Sequence, residues 1–229
     1  LPVLEITPLP PRNWVEENRK SFPPIEVGRF FIHHSGEEKM PPADHICLEI
    51  NAATAFGTGQ HGTTKGCLLL LEHLKNQGVD PARLLDLGCG TAVLAMAAAR
   101  LFEDSQVMAC DNDQDAVDMS IENILKNNLE NRIHTFLSDG FDTPDSHAPF
   151  KAPFDVIVAN ILADPLIHMA SDIAQHLEQN SWLILSGLLI TQQDKVLTAY
   201  EDLGLILEDV VHQDEWSAML LKKKSVKNL

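Results

Sequence analysis

From Thr63 onward, short apolar runs of strand length alternate with longer segments whose apolar residues recur at helical spacing. Cys67, Leu70, Leu71 and Leu74 mark one helical face, and Gly78 follows as a stop. Residues 83–87 read as a short buried strand that runs into a glycine turn, and Leu94, Ala97, Ala98 and Leu101 mark the helix after it. A strand over 106–110 and a helix carrying Val117, Ile121, Ile124 and Leu125 come next. Strands near 133–137, 154–159 and 182–185 continue the series, with helices near 166–177 and 192–203 between the later ones. Thr191 and Asp194 read as a capping pair for the last helix. Such an order predicts an α/β fold, doubly wound, with helices on both faces of a mostly parallel sheet. The two final runs, 205–211 and 216–221, have no helix between them and are expected to pair as an antiparallel hairpin at one side of that sheet.

The chain ahead of this series differs in composition. Pro2, Pro8, Pro10, Pro11, Pro23 and Pro24 give residues 1–25 the character of a linker, leading into a short helix around Trp14 to Lys20. Two β-like runs, 29–34 and 46–50, predict a small hairpin or pair of strands. The expected division is therefore 1–50 as linker and small N-terminal β-hairpin region, and 51–229 as the α/β domain.

Charge and cysteine content narrow the partners. A formal net charge of −16 argues against direct binding to exposed nucleic acid and is compatible with a basic protein partner. No apolar stretch approaches the roughly 18 residues a membrane helix needs. Cys47, Cys67, Cys89 and Cys110 form no CxxC pair and no metal-ligand spacing, which predicts reduced thiols, no metal and a cytoplasmic setting. Nothing in the sequence specifies an oligomeric state.

Two glycine-rich segments compete for the ligand site. Residues 57–62 match GxGxxG literally, but no clear hydrophobic strand delivers the chain into the first glycine, so the strand-turn-helix context of a dinucleotide site is poor. Leu84-Leu85-Asp86-Leu87-Gly88-Cys89-Gly90-Thr91 has that context: a buried strand precedes it, a helix follows, and glycines let the backbone turn sharply against a ligand. Asp111 ends the next strand, where a carboxylate suits ribose hydroxyls. Asp86 precedes the glycines, and Val93 stands where a third glycine would be. This pattern resembles the first motif of class I methyltransferases, whose ligand, S-adenosylmethionine, has no pyrophosphate to sit on a helix N-terminus.

A second motif, Phe154-Asp155-Val156-Ile157-Val158-Ala159-Asn160-Ile161-Leu162-Ala163, places Asn160 at the end of a buried strand, in the crevice where doubly wound folds bind ligands. Its Asn-Ile-Leu-Ala, the segment from Ala55 to Thr64 (Ala-Phe-Gly-Thr-Gly-Gln-His-Gly-Thr-Thr) and Glu215-Trp216 together resemble the PrmA family of bacterial methyltransferases, which act on ribosomal protein L11. The resemblance runs from about Trp14 to Leu221. It implies a Rossmann-like seven-stranded sheet closed by an antiparallel hairpin, and a further recognition domain ahead of Leu1. It also implies that Thr64, Gly88, Asp111 and Asn160 touch the cofactor, beside Asp86 and Gly90 of the first motif. Asn160 is then the candidate catalytic residue, accepting a hydrogen bond from a neutral amine and aiming its lone pair. The implied substrate is the lysine and α-amino nitrogens of a ribosomal protein. Asp139 could reach the adenine amino group, and His61 is the histidine nearest by motif; neither belongs to the expected set. A methyltransferase for another protein or a small molecule, and a non-catalytic domain that binds cofactor and a partner, are the alternative readings.

Overall fold

A computed structural model of the chain describes residues 24–34, 41–51, 62–143 and 153–224. The expected helix around Trp14 to Lys20, Gly57, Gly59 and His61 lie outside them. The elements, in order, are β1 (Ile25–Val27), β2 (Phe30–His33), β3 (Ile46–Glu49), α1 (Gly62–Asn76), β4 (Arg83–Leu87), α2 (Val93–Leu101), β5 (Gln106–Asp111), α3 (Gln114–Lys126), β6 (Ile133–Leu137), β7 (Phe154–Asn160), α4 (Ala163–His168), α5 (Ala170–His176), β8 (Leu177–Leu189), a 3-10 turn (Ile190–Gln192), α6 (Gln193–Glu201), β9 (Leu205–Gln213) and β10 (Trp216–Lys223).

Seven strands form the main sheet in the order β6-β5-β4-β7-β8-β10-β9. The strands from β6 to β8 pair in parallel, and β10 lies antiparallel between β8 and β9, so the expected terminal hairpin extends the sheet at one side. Alternation along the central strands explains why both faces need cover. Leu84, Val156, Val158 and Ile184 belong to a core built with Cys67, Leu68, Leu70, Leu71 and Leu74 of α1 and with the whole apolar length of α2. Leu85, Leu87, Ile157, Ala159, Leu183 and Leu185 belong to a second core with α4, α5 and α6. Full burial of one such leucine is worth about 1.5–3 kcal/mol, so each strand is held from both sides. Among the described residues, no helix is long and apolar enough to cross a membrane.

Three sequence expectations change in detail. The runs near 29–34 and 46–50 do pair, but as β2 and β3 in parallel; the hairpin is β1 with β2, joined through Gly28 at φ +52°. The helix expected over 166–177 starts at Ala163 and breaks at Met169 into α4 and α5. Pro165 sits in the first turn of α4, where a missing N–H costs nothing. The Thr191–Asp194 capping pair does not form, because residues 190–192 already turn as a 3-10 helix; there the Leu189 N–H donates to Gln192 Oε1 at 2.9 Å.

The third strand of the small sheet is tied to α3 by two asparagines one helical turn apart. Asn127 accepts from the Glu49 N–H (2.9 Å) and donates to its C=O (2.7 Å), and Asn123 accepts from the Asn51 N–H (2.7 Å). Asn123 also donates to the Thr91 carbonyl at 3.0 Å, in the turn that leads into α2.

Candidate active site

Strand order reverses between β4 and β7, so the crevice at this switch point lies beyond Leu87 on one side and Asn160 on the other. Beyond Leu87 the chain enters the left-handed region three times in five residues, at Gly88 (φ +73°), Gly90 (φ +53°) and Ala92 (φ +59°). Gly88 and Cys89 both donate their N–H to the Cys110 carbonyl, at 2.8 and 2.9 Å. The Gly90 N–H donates to Asp111 Oδ2 at 2.9 Å, while Asp111 Oδ1 accepts from the Asp113 N–H at 3.1 Å. Three consecutive amides of the turn are thus engaged by β5. That is the opposite of a phosphate cradle, which needs such amides pointing at an anion.

Asp86 lies behind the turn, 1% exposed, and its carboxylate accepts from the Ala95 N–H at 2.9 Å in the first turn of α2. Burial pushes its carboxyl up to about 7; the Ala95 hydrogen bond opposes this and the Asp111 charge adds to it. An acid in that place occupies the helix end where a pyrophosphate would sit. The neighbouring thiols are free and raised by burial, Cys110 to about 12, so nucleophilic cysteine chemistry has no support here.

The opposite wall begins with Asn160, half-buried at the end of β7. Its Nδ2 donates to Thr64 Oγ1 at 3.4 Å, which brings the first turn of α1 to the crevice. Its Oδ1 is buried and finds no hydrogen-bond partner among the described residues. Ile161 then turns inward: a side chain at Gly88 would collide with the Ile161 Cγ2, and one at Gly187 (φ +85°) with the Ile161 backbone carbonyl. Leu162, the N-cap residue of α4, turns outward. The short helix is held from behind, where the buried Tyr200 O–H donates to the Leu166 carbonyl at 2.8 Å.

The structure therefore places Thr64, Gly88, Gly90, Asp111 and Asn160 around one crevice and sets Asp86 beneath it. Asp139 is exposed on a short turn after β6, paired with Asp142 through the backbone. Gly62, the end of the literal GxGxxG, is the first residue of α1. Sequence reasoning overlooked Gly187 and Leu162. The only signal for Gly187 was a glycine two residues after the apolar strand 182–185, and for Leu162 an apolar residue at the start of a helix. A surface depression of ≈ 470 Å³, lined by Gln106, Arg132 and His134 among others, lies at the opposite ends of β5 and β6, away from every one of these groups.

The chain matches the family model described as Ribosomal protein L11 methyltransferase (PrmA) over residues 3–224. It is 44% identical over 215 residues to the ribosomal protein L11 methyltransferase of Brucella suis, a match covering 93% of this chain and 74% of that protein. With the enzyme of the same description from Bradyrhizobium diazoefficiens it shares 41% over 212 residues, covering 93% and 70%. The crystal structure of ribosomal protein L11 methylase from Lactobacillus delbrueckii subsp. bulgaricus superposes with a TM-score of 0.75 at 24% identity, over 89% of this chain and 100% of that one. A methyltransferase from Pyrococcus furiosus gives a TM-score of 0.55 at 17% identity, over 69% and 83%. At those identities the structural likeness speaks to the fold, a class I methyltransferase sheet.

Proposed function

The chain belongs to the ribosomal protein L11 methyltransferase family, and on that premise we propose that it transfers methyl groups from S-adenosylmethionine to lysine and α-amino nitrogens of ribosomal protein L11, in the cytoplasm. The chemistry S-adenosylmethionine supplies when bound is a methyl group on a positively charged sulfur, open to in-line displacement. The residues present suit that ligand. Asp111 keeps lone pairs on both oxygens for ribose hydroxyls, and Gly88 and Gly90 bring backbone close without presenting free amides to a phosphate. Thr64 completes the wall beside Asn160, and Asp86 positions the turn from below by holding the start of α2.

One observation carries the amine reading: the buried, unmatched Oδ1 of Asn160. A buried acceptor without a donor costs about 1–3 kcal/mol, a cost that an incoming N–H would remove. Free lysine titrates near 10.4, so the substrate must first shed a proton. In the neutral amine, an N–H donated to Asn160 Oδ1 leaves the lone pair directed away from the asparagine. Removal of water from the crevice and fixed orientation then lower the barrier, and the proton released after transfer passes to solvent.

The test is methyl transfer from labelled S-adenosylmethionine to purified ribosomal protein L11, with the modified nitrogens located by mass spectrometry. Incorporation at lysine side chains and the amino terminus is expected. Label confined to oxygen, or to other proteins while L11 stays unmodified, would overturn the reading.

A further inference from the structure

Asn160 and Ile161 both face inward, but the next residue breaks two local rules at once. Leu162 is 67% exposed, more than Leu125 (53%), Ile121 (41%), Leu203 (39%) or Ile190 (38%), the other exposed large hydrophobic residues among those described. It also occupies the N-cap of α4 (φ −61°, ψ 153°) without any side-chain cap, at a position where Ser, Thr, Asp or Asn would bind an otherwise orphaned helix N–H. A leucine there gives up stability and solvation together. Departures of that kind concentrate where function requires them.

Its surroundings point to one occupant. Leu162 stands two residues beyond the unmatched acceptor of Asn160, and Ile161 is locked down against Gly88 and Gly187, so the leucine sits at the rim of the crevice. Ile190, also exposed, follows the end of β8, where its N–H is held by the Glu215 carbonyl at 2.9 Å. Asp164, which pairs with Lys195 Nζ at 3.0 Å, and the exposed Glu215 border these apolar groups in a chain of net charge −16. Apolar contact on a chain of strongly negative net charge fits the aliphatic stem and basic neighbours of a lysine-bearing segment.

We propose that Leu162 is a specificity-determining contact, packing against the segment of the protein substrate that carries the target amine. This rests on the reading of the crevice as an amine-methylating site. Leu162→Ser separates a binding role from a structural one, because serine is a better cap. The variant should melt about 2 °C higher and bind S-adenosylhomocysteine unchanged. Its KM for ribosomal protein L11 should rise about tenfold with little change in kcat, while Leu162→Met retains the wild-type KM. A wild-type KM in Leu162→Ser, or a fall in its melting temperature, overturns the proposal. If the unaltered enzyme binds S-adenosylhomocysteine but leaves L11 unmodified, the substrate reading itself fails and takes this one with it.

Discussion

On the β4–β5 side of the crevice the amides of Gly88, Cys89 and Gly90 are all engaged within the fold, by the Cys110 carbonyl and the Asp111 carboxylate. On the β7–β8 side, Asn160 Oδ1 is buried without a partner among the described residues and Leu162 stands exposed. The first wall is complete as it is, so its geometry is fixed before any ligand arrives, which favours a site for a constant cofactor. The second wall is completed by whatever enters, which favours a site for a substrate that must bind and leave. Preorganisation and unsatisfied groups thus sit a few ångströms apart, divided between two pairs of strands.

That division can be broken by mutation, and the largest effect belongs to the second wall. Gly187→Ala drives a methyl into the Ile161 carbonyl at a positive φ, and should lower stability by about 3 kcal/mol in urea denaturation. An unchanged midpoint would mean that Gly187 does not set the position of Ile161. Asn160→Leu keeps approximate volume and removes the acceptor. Turnover should fall about a hundredfold, equivalent to about 2.7 kcal/mol of transition-state stabilisation, while calorimetric affinity for S-adenosylhomocysteine falls less. The converse holds on the first wall: Asp111→Ala should cost about 2 kcal/mol of cofactor affinity, from hydrogen bonds to a carboxylate, and should lower fold stability as well, because the Gly90 and Asp113 N–H groups lose their acceptor. If Asn160→Leu weakened cofactor binding as much as Asp111→Ala, the two walls would not have separate tasks.

A further test sharpens the comparison through pH. Asp86 has its carboxyl raised from 3.8 to about 7 by burial, so between those values the folded protein holds a proton that the unfolded chain has lost. Its contribution to stability is therefore full below pH 3.8 and declines as pH rises towards 7, by up to about 1.4 kcal/mol per pH unit. Asp86→Asn retains an acceptor for the Ala95 N–H and removes that slope. Unfolding measured from pH 4 to 8 should show the variant gaining on the wild type up to about pH 7 and levelling off above it. A constant difference across the range would show that Asp86 does not titrate in the fold.

Much of this was legible in the sequence, and the limits have a physical origin. Periodicity located β4 and β7, since alternating residues must face two different cores. The glycines and Asp111 were legible because a sharp turn and a strand-end acid are properties of short segments. The role of Asp86 was only half legible: its spacing from the glycines marks the motif, but that it reaches over the turn to Ala95 depends on where α2 starts. The parallel pairing of β2 with β3 was hidden because the 12 residues 34–45 between them can return the chain in either direction, and either direction satisfies the same apolar pattern. Gly187 lies on β8 and Ile161 just beyond the end of the adjacent β7, 26 residues earlier, so no local pattern could announce that the backbone of Ile161 requires a glycine opposite it.

The asparagine pair on α3 has a consequence for how copies of the protein meet. Among the described residues β3 is an edge strand, and Ile46 and Ile50 direct their N–H groups to β2 while Glu49 and Asn51 direct theirs away from it. An edge of that kind is a template on which a foreign strand can add, the first step of edge-to-edge aggregation. Asn127 and Asn123 take the outward groups of Glu49 and Asn51 as a neighbouring strand would, so that end of the edge is closed by side chains of the same molecule. In hydrogen exchange the amides of Glu49 and Asn51 should then be protected like those of an interior strand, and Asn127→Ala should open the edge to self-association on concentration.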